Sequence, residues 1–180
     1  MRLLGALLAS FLGCAVCIAP SVAQVPAGRD VVSPGAFVSF DPVARGGSFQ
    51  IAVVLKIREG FHVNAREKSA DYLIATDLRA EAPAGFKLGE VTYPKGELHT
   101  FSFSKKPLNV YQGKVVLRMD AAALPNAAPG EQHIPLKLRY QACSSEVCLP
   151  PVTLNVDAVV TVGSTAAARP AHPELFQSQR

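Results

Sequence analysis

Alternation of apolar and polar side chains, repeated in short runs punctuated by glycine and proline, most limits the folds open to this chain. Phe49, Ile51, Val53, Leu55 and Ile57 are apolar at every second position, and Ser48, Gln50, Lys56 and Arg58 take most of the opposite face. A period of two marks a strand with one buried face. The pattern recurs at Ile134, Leu136, Leu138 and Tyr140, and again at Val152, Leu154 and Val156. These last two runs read as antiparallel strands joined by residues 143–151. Phe61 to Asn64, Tyr72 to Leu78, Phe86 to Tyr93 and Lys114 to Met119 are further strand candidates. They are separated by Pro83-Ala84-Gly85, Pro94-Lys95-Gly96 and Gln112-Gly113. Only Glu67 to Leu78 admits a helical alternative, and its helical spacing is poor. Short strands without intervening helices predict an all-β antiparallel sandwich rather than a βαβ fold.

The ends set the expected compartment. Met1-Arg2 precedes an uncharged apolar run from Leu3 to Ile18, then Pro20 and the small-residue site Ser21-Val22-Ala23. This is the layout of a cleaved signal peptide over residues 1–23, with a mature chain from Gln24. Gly13-Cys14 offers a weaker, lipid-anchored alternative. Residues 24–35, with Pro26, Gly28 and Pro34, read as a flexible leader, and residues 162–180 as a disordered tail. One domain over residues 36–161 is the expected division. With 18 basic and 14 acidic residues and Lys105-Lys106 as the only basic doublet, no nucleic-acid surface is indicated. No serine triad, carboxylate pair, phosphate loop or nucleotide fingerprint supports a hydrolase, a kinase or a cofactor.

The cysteines carry the chemistry. Removal of Cys14 and Cys17 with the signal peptide leaves Cys143 and Cys148, a pair close enough in sequence to be bonded in a secreted protein. Three readings stand. As a structural staple the pair is weak, because so small a ring removes only about 2 kcal/mol of unfolded-state freedom, against about 4.7 for a 100-residue ring. As a metal site, the two thiolates with His62 or His99 suit a soft ion such as Cu(I), but four clustered ligands for structural zinc are missing. The third reading is thiol–disulfide exchange. No lysine or arginine adjoins Cys148 and Glu146 lies nearby, so no strongly lowered thiol pKa is expected. His62 and Asn64 are placed to steady a thiolate or a partner's backbone, or are simply polar strand-end residues. His99, His133 and His172 read as surface residues.

Tyr140-Gln141-Ala142-Cys143, with Cys148-Leu149-Pro150-Pro151, resembles the active-site signature of the DsbD N-terminal domain family. Gly60-Phe61-His62-Val63-Asn64, Tyr93-Pro94-Lys95-Gly96 and Val110-Tyr111-Gln112-Gly113 follow the family's order upstream, so the resemblance spans residues 36–158. It implies an immunoglobulin-like periplasmic domain that takes electrons from a membrane-embedded partner. It further implies their transfer to thioredoxin-like proteins serving disulfide isomerisation and cytochrome c maturation. Cys148 would be the exchanging cysteine and Cys143 the resolving one, with Tyr140 among the site's surroundings. A cap loop would place Phe103 over the pair, with Phe101 the next choice. Two departures accompany the resemblance. Four residues separate the cysteines where some members have five. The chain also lacks the transmembrane and thioredoxin-like domains of full-length DsbD, so the expected donor is a separate protein.

Overall fold

In the computed structural model, which describes residues 25–163 and 168–177, almost all regular structure is β. Two four-stranded sheets pack face to face. The first has the order β1 (Val32–Val38), β3 (Ser48–Ile57), β9 (Lys114–Ala123), β6 (Phe86–Thr92). The second has the order β2 (Val43–Ala44), β12 (Val152–Gly163), β10 (Gly130–Tyr140), β5 (Asp77–Ala80). All pairings are antiparallel except the short β2–β12 contact. This is an immunoglobulin-like antiparallel β-sandwich, as the alternation predicts.

The core follows from the period of two. Phe49, Ile51, Val53 and Leu55 on β3 and Leu117 and Met119 on β9 face Ile134, Leu136, Leu138 and Tyr140 on β10 and Val160 on β12. The β10–β12 register runs from Gly130 opposite Val162 to Tyr140 opposite Val152, so the two strands form the stem of one long hairpin.

Both ends of the domain differ from the sequence reading. The expected leader contributes a 3-10 turn, Gly28–Asp30, and the first half of β1, and Val31 after the turn and Val32 at the start of the strand are buried. Pro34 is accommodated because β1 is an edge strand, where one missing donor breaks no inner ladder. The expected tail is also structured in part. β12 continues to Gly163, Pro170 bridges to Phe40, and helix α1 (Pro173–Phe176) seats Leu175 at 5% exposure against Ala52 and Val54. Those two residues interrupt the polar outer face of β3, and α1 covers the interruption. Between Glu67 and Leu78 there is no helix, and the strand there begins only at Asp77. Residues 1–24, which hold the signal-peptide and lipid-anchor readings, lie outside the described residues.

A third, small sheet closes one end, in the order β11 (Ala142–Cys143), β4 (His62–Asn64), β8 (Leu108–Tyr111), β7 (Glu97–His99). It carries the cysteines.

Candidate redox site

β10 ends at Tyr140, the chain steps through Gln141, and β11 pairs with β4, placing Ala142 opposite Val63 and Cys143 opposite His62. The chain then turns over Ser144 to Val147. Ser144 Oγ accepts hydrogen bonds from the backbone N–H groups of Glu146 and Val147, both 3.1 Å, and the Ser144 N–H donates to the Val147 carbonyl at 2.8 Å. This is a serine doing a turn residue's work. On the return limb the Leu149 N–H donates to the Ala142 carbonyl at 2.8 Å. Cys143 and Cys148 therefore face each other at a non-hydrogen-bonded position, where strands approach most closely. Their Cα atoms are 3.9 Å apart and their sulfurs are bonded.

The two cysteines are not equivalent. Cys143 is 0% exposed, whereas Cys148 is half-buried beside the exposed tip. Above them lies the loop between β7 and β8. Phe101 stacks on His62 with ring centroids 4.0 Å apart, and Phe103 lies 5.4 Å from Phe101 and 6.4 Å from His62. Phe101 also packs with the buried Leu73 and Leu108, whereas Phe103 is 40% exposed. Both aromatics are loop residues rather than strand residues facing the core. Phe101 is the inner ring and Phe103 the outer.

His62 is 1% exposed, and its imidazole is held down to a pKa of about 4, first by burial and then by the neighbouring His99. At neutral pH it is uncharged. Asn64 is fully buried and its Nδ2 donates to the Ile74 carbonyl at 3.1 Å and to Gln141 Oε1 at 3.5 Å. Gln141, a motif residue to which the sequence gives no role, also accepts from the Ile74 N–H and donates to the Leu149 carbonyl, both at 3.3 Å. Its place opposite Asn64 follows from carrying the antiparallel register two steps back from the Cys143–His62 pair.

The structure thus brings together Cys143, Cys148, His62, Asn64, Phe101 and Phe103. It does not bring in Tyr140, which faces the sandwich core and donates its hydroxyl to the Gly28 carbonyl at 2.8 Å. The phenol turns inward because position 140 continues the buried phase of β10. His99 is less peripheral than expected, 6.3 Å from Phe101 and 3.3 Å from Glu97. His133 lies on the outer face between Glu131 and Asp157, and His172 packs on Phe37. Among the described residues no cluster of three or more histidine, cysteine or acidic side chains is arranged to hold a metal. An apolar groove of about 730 Å³ beside α1 is lined by Phe40, Phe49 and Phe176 and by neither cysteine.

Residues 29–159 match the family model of the thiol:disulfide interchange protein DsbD, N-terminal domain. The chain belongs to this family. It is a DsbD-type N-terminal domain, a thiol–disulfide interchange domain, with its cysteine pair bonded at the tip of the β10–β12 hairpin. No curated protein matches the sequence. Among solved structures, the N-terminal periplasmic domain of ScsB from Proteus mirabilis is similar at 15% identity and TM-score 0.42. The match covers 66% of this chain and 43% of that one, so this chain spans less than half of that relative. A ScaB type I cohesin from Pseudobacteroides cellulosolvens is similar at 12% identity and TM-score 0.38, over 77% and 98% of the two chains. Among the described residues no helix is long and apolar enough to cross a membrane.

Proposed function

We propose that this domain relays electron pairs in the periplasm, receiving them from a separate membrane-embedded donor and passing them to thioredoxin-like proteins through Cys143 and Cys148. The observation that carries the reading is the asymmetry of the pair, with Cys143 fully buried and Cys148 half-buried at an exposed tip. Exchange needs one sulfur that a partner can reach and a second that displaces the partner. In the reduced domain the Cys148 thiolate attacks the partner's disulfide, forming a mixed disulfide and releasing one partner sulfur as a thiolate. Cys143 then attacks the Cys148 sulfur, the domain's own disulfide forms, and the second partner sulfur leaves. Two electrons have passed to the partner, and the membrane donor restores them. No cofactor enters this sequence. The loop bearing Phe101 and Phe103 serves as the cap, limiting access by adventitious oxidants.

Cys143→Ala, exported to the periplasm, is expected to accumulate mixed disulfides with thioredoxin-like proteins, whereas Cys148→Ala forms none. The pair should also have a reduction potential above about −300 mV, the region below which structural bridges lie. A lower potential with no trapped partner would assign the bridge to a structural role in a binding module.

A further inference from the structure

Two buried polar side-chain atoms among the described residues have no hydrogen-bond partner, His62 Nε2 and Asn64 Oδ1. Native proteins leave few such groups, and each calls for a cause. Residues 62 and 64 project from the same face of β4, and the register sets Cys143 opposite His62. Directly opposed residues of an antiparallel pair share a face, with Cβ atoms about 4.5–5.5 Å apart. The contact of Asn64 with Gln141 identifies that face. His62, Asn64, Gln141 and Cys143 therefore form one enclosed polar patch, covered by Phe101 over His62 and by Ile74 at Asn64.

In the oxidised pair the Cys143 sulfur carries no proton. Reduction places a thiol at a fully buried position, where desolvation disfavours the thiolate that the resolving step requires. Building on the exchange reading, we propose that His62 is the general base of the resolving cysteine, its imidazole accepting the Cys143 Sγ–H hydrogen bond in the reduced domain and taking that proton as Cys143 attacks. With the ring proton on Nδ1, the unpartnered Nε2 presents the lone pair for this bond. The Cys143–Cys148 bond forms, the bond between Cys148 and the partner breaks, and the partner sulfur leaves with the electron pair. The imidazolium then returns its proton to the departing thiolate through solvent. The titratable groups around His62 are Cys143 opposite it, His99 from β7, and Glu97 beyond His99. Asn64, Gln141, Phe101 and Phe103 are neutral. Burial and His99 keep His62 unprotonated before the step, and the thiolate formed beside it stabilises the imidazolium during it.

The test uses the reduced protein with glutathione disulfide, alkylation quenching and mass analysis of the Cys148–glutathione adduct. His62→Phe preserves an aromatic ring under Phe101. It should leave the initial attack by Cys148 within about twofold while slowing resolution by about 10²-fold, the lower range for a positioned base. Independently of any variant, the Nε2 nitrogen resonance of the wild-type protein should shift on reduction as it gains a hydrogen bond. Unchanged resolution or an unmoved Nε2 resonance would each overturn the role. A wild-type protein that never forms the glutathione adduct would overturn the exchange reading on which the role rests.

Discussion

The hydroxyl of Ser102 donates a hydrogen bond to the backbone carbonyl of Ser145 at 2.9 Å, fastening the β7–β8 loop to the tip of the cysteine loop. It is a contact across 43 residues of sequence between the segment over the site and the segment that carries it. A single neutral hydrogen bond contributes about 1 kcal/mol. Ser102→Ala should therefore raise the open population of the loop by about fivefold. The rate at which glutathione disulfide oxidises the reduced pair should rise by a similar factor, with little change in thermal stability. An unchanged rate would mean that this contact does not govern access.

The two phenylalanines of that loop should separate when truncated. Phe103 is largely free of core contacts, so Phe103→Ala should speed oxidation while changing stability by less than about 0.5 kcal/mol. Phe101 is held between His62 and the Leu73–Leu108 cluster. Phe101→Ala should both speed oxidation and destabilise the domain by about 2–3 kcal/mol, somewhat below the range for a fully buried ring. Urea unfolding beside stopped-flow oxidation reads both effects.

His62 also ties stability to pH. Its folded pKa of about 4 lies below the ordinary 6.5, so the unfolded chain binds the additional proton between those values. Stability should fall as pH drops through 6.5 and level off near 4, with a total loss on the order of 3 kcal/mol from this group. His62→Phe should flatten that part of the curve, measured by denaturant unfolding from pH 7 to pH 4.

Much of the sandwich was legible because long strands repeat their signal. β3, β10 and β12 each show several cycles of alternation, and their inward residues are those the period selects. The same period placed Tyr140 in the core, against its assignment to the site by motif. The third sheet was harder to read, since strands of two to four residues hold too few cycles to establish a period. β1 was hidden by Pro34 and Gly35, whose tolerance depends on the strand lying at an edge. α1 was hidden by its brevity, although Ala52 and Val54 on an otherwise polar face were the trace of something covering them. The cysteine pair was visible from spacing. Which phenylalanine lies innermost was not, because a loop's long-range packing leaves no local pattern.

The C-terminal strap should prove separable from the redox chemistry. Leu175 packs against Ala52 and Val54, and its carbonyl accepts from Arg118 Nε at 2.7 Å. Leu175→Ala should lower stability by about 2 kcal/mol, the low end for a buried leucine because so short a helix can relax. The reduction potential and the rate of reaction with glutathione disulfide should be unchanged. A shift in either would show that the outer face of the first sheet communicates with the cysteines.

The cysteine loop grows from the continuous stem of β10 and β12, and each limb is held just below the tip, through Ala142 and Leu149 on one side and Gln141 on the other. Beyond those clamps lie only the two cysteines and, between them, Ser144, Ser145, Glu146 and Val147. The arrangement is that of an exchangeable head on a fixed handle. A relative with five residues between its cysteines can lengthen the head while the handle keeps its register. Grafting a different tip between Cys143 and Cys148 would thus alter what the domain recognises without rebuilding the domain that presents it.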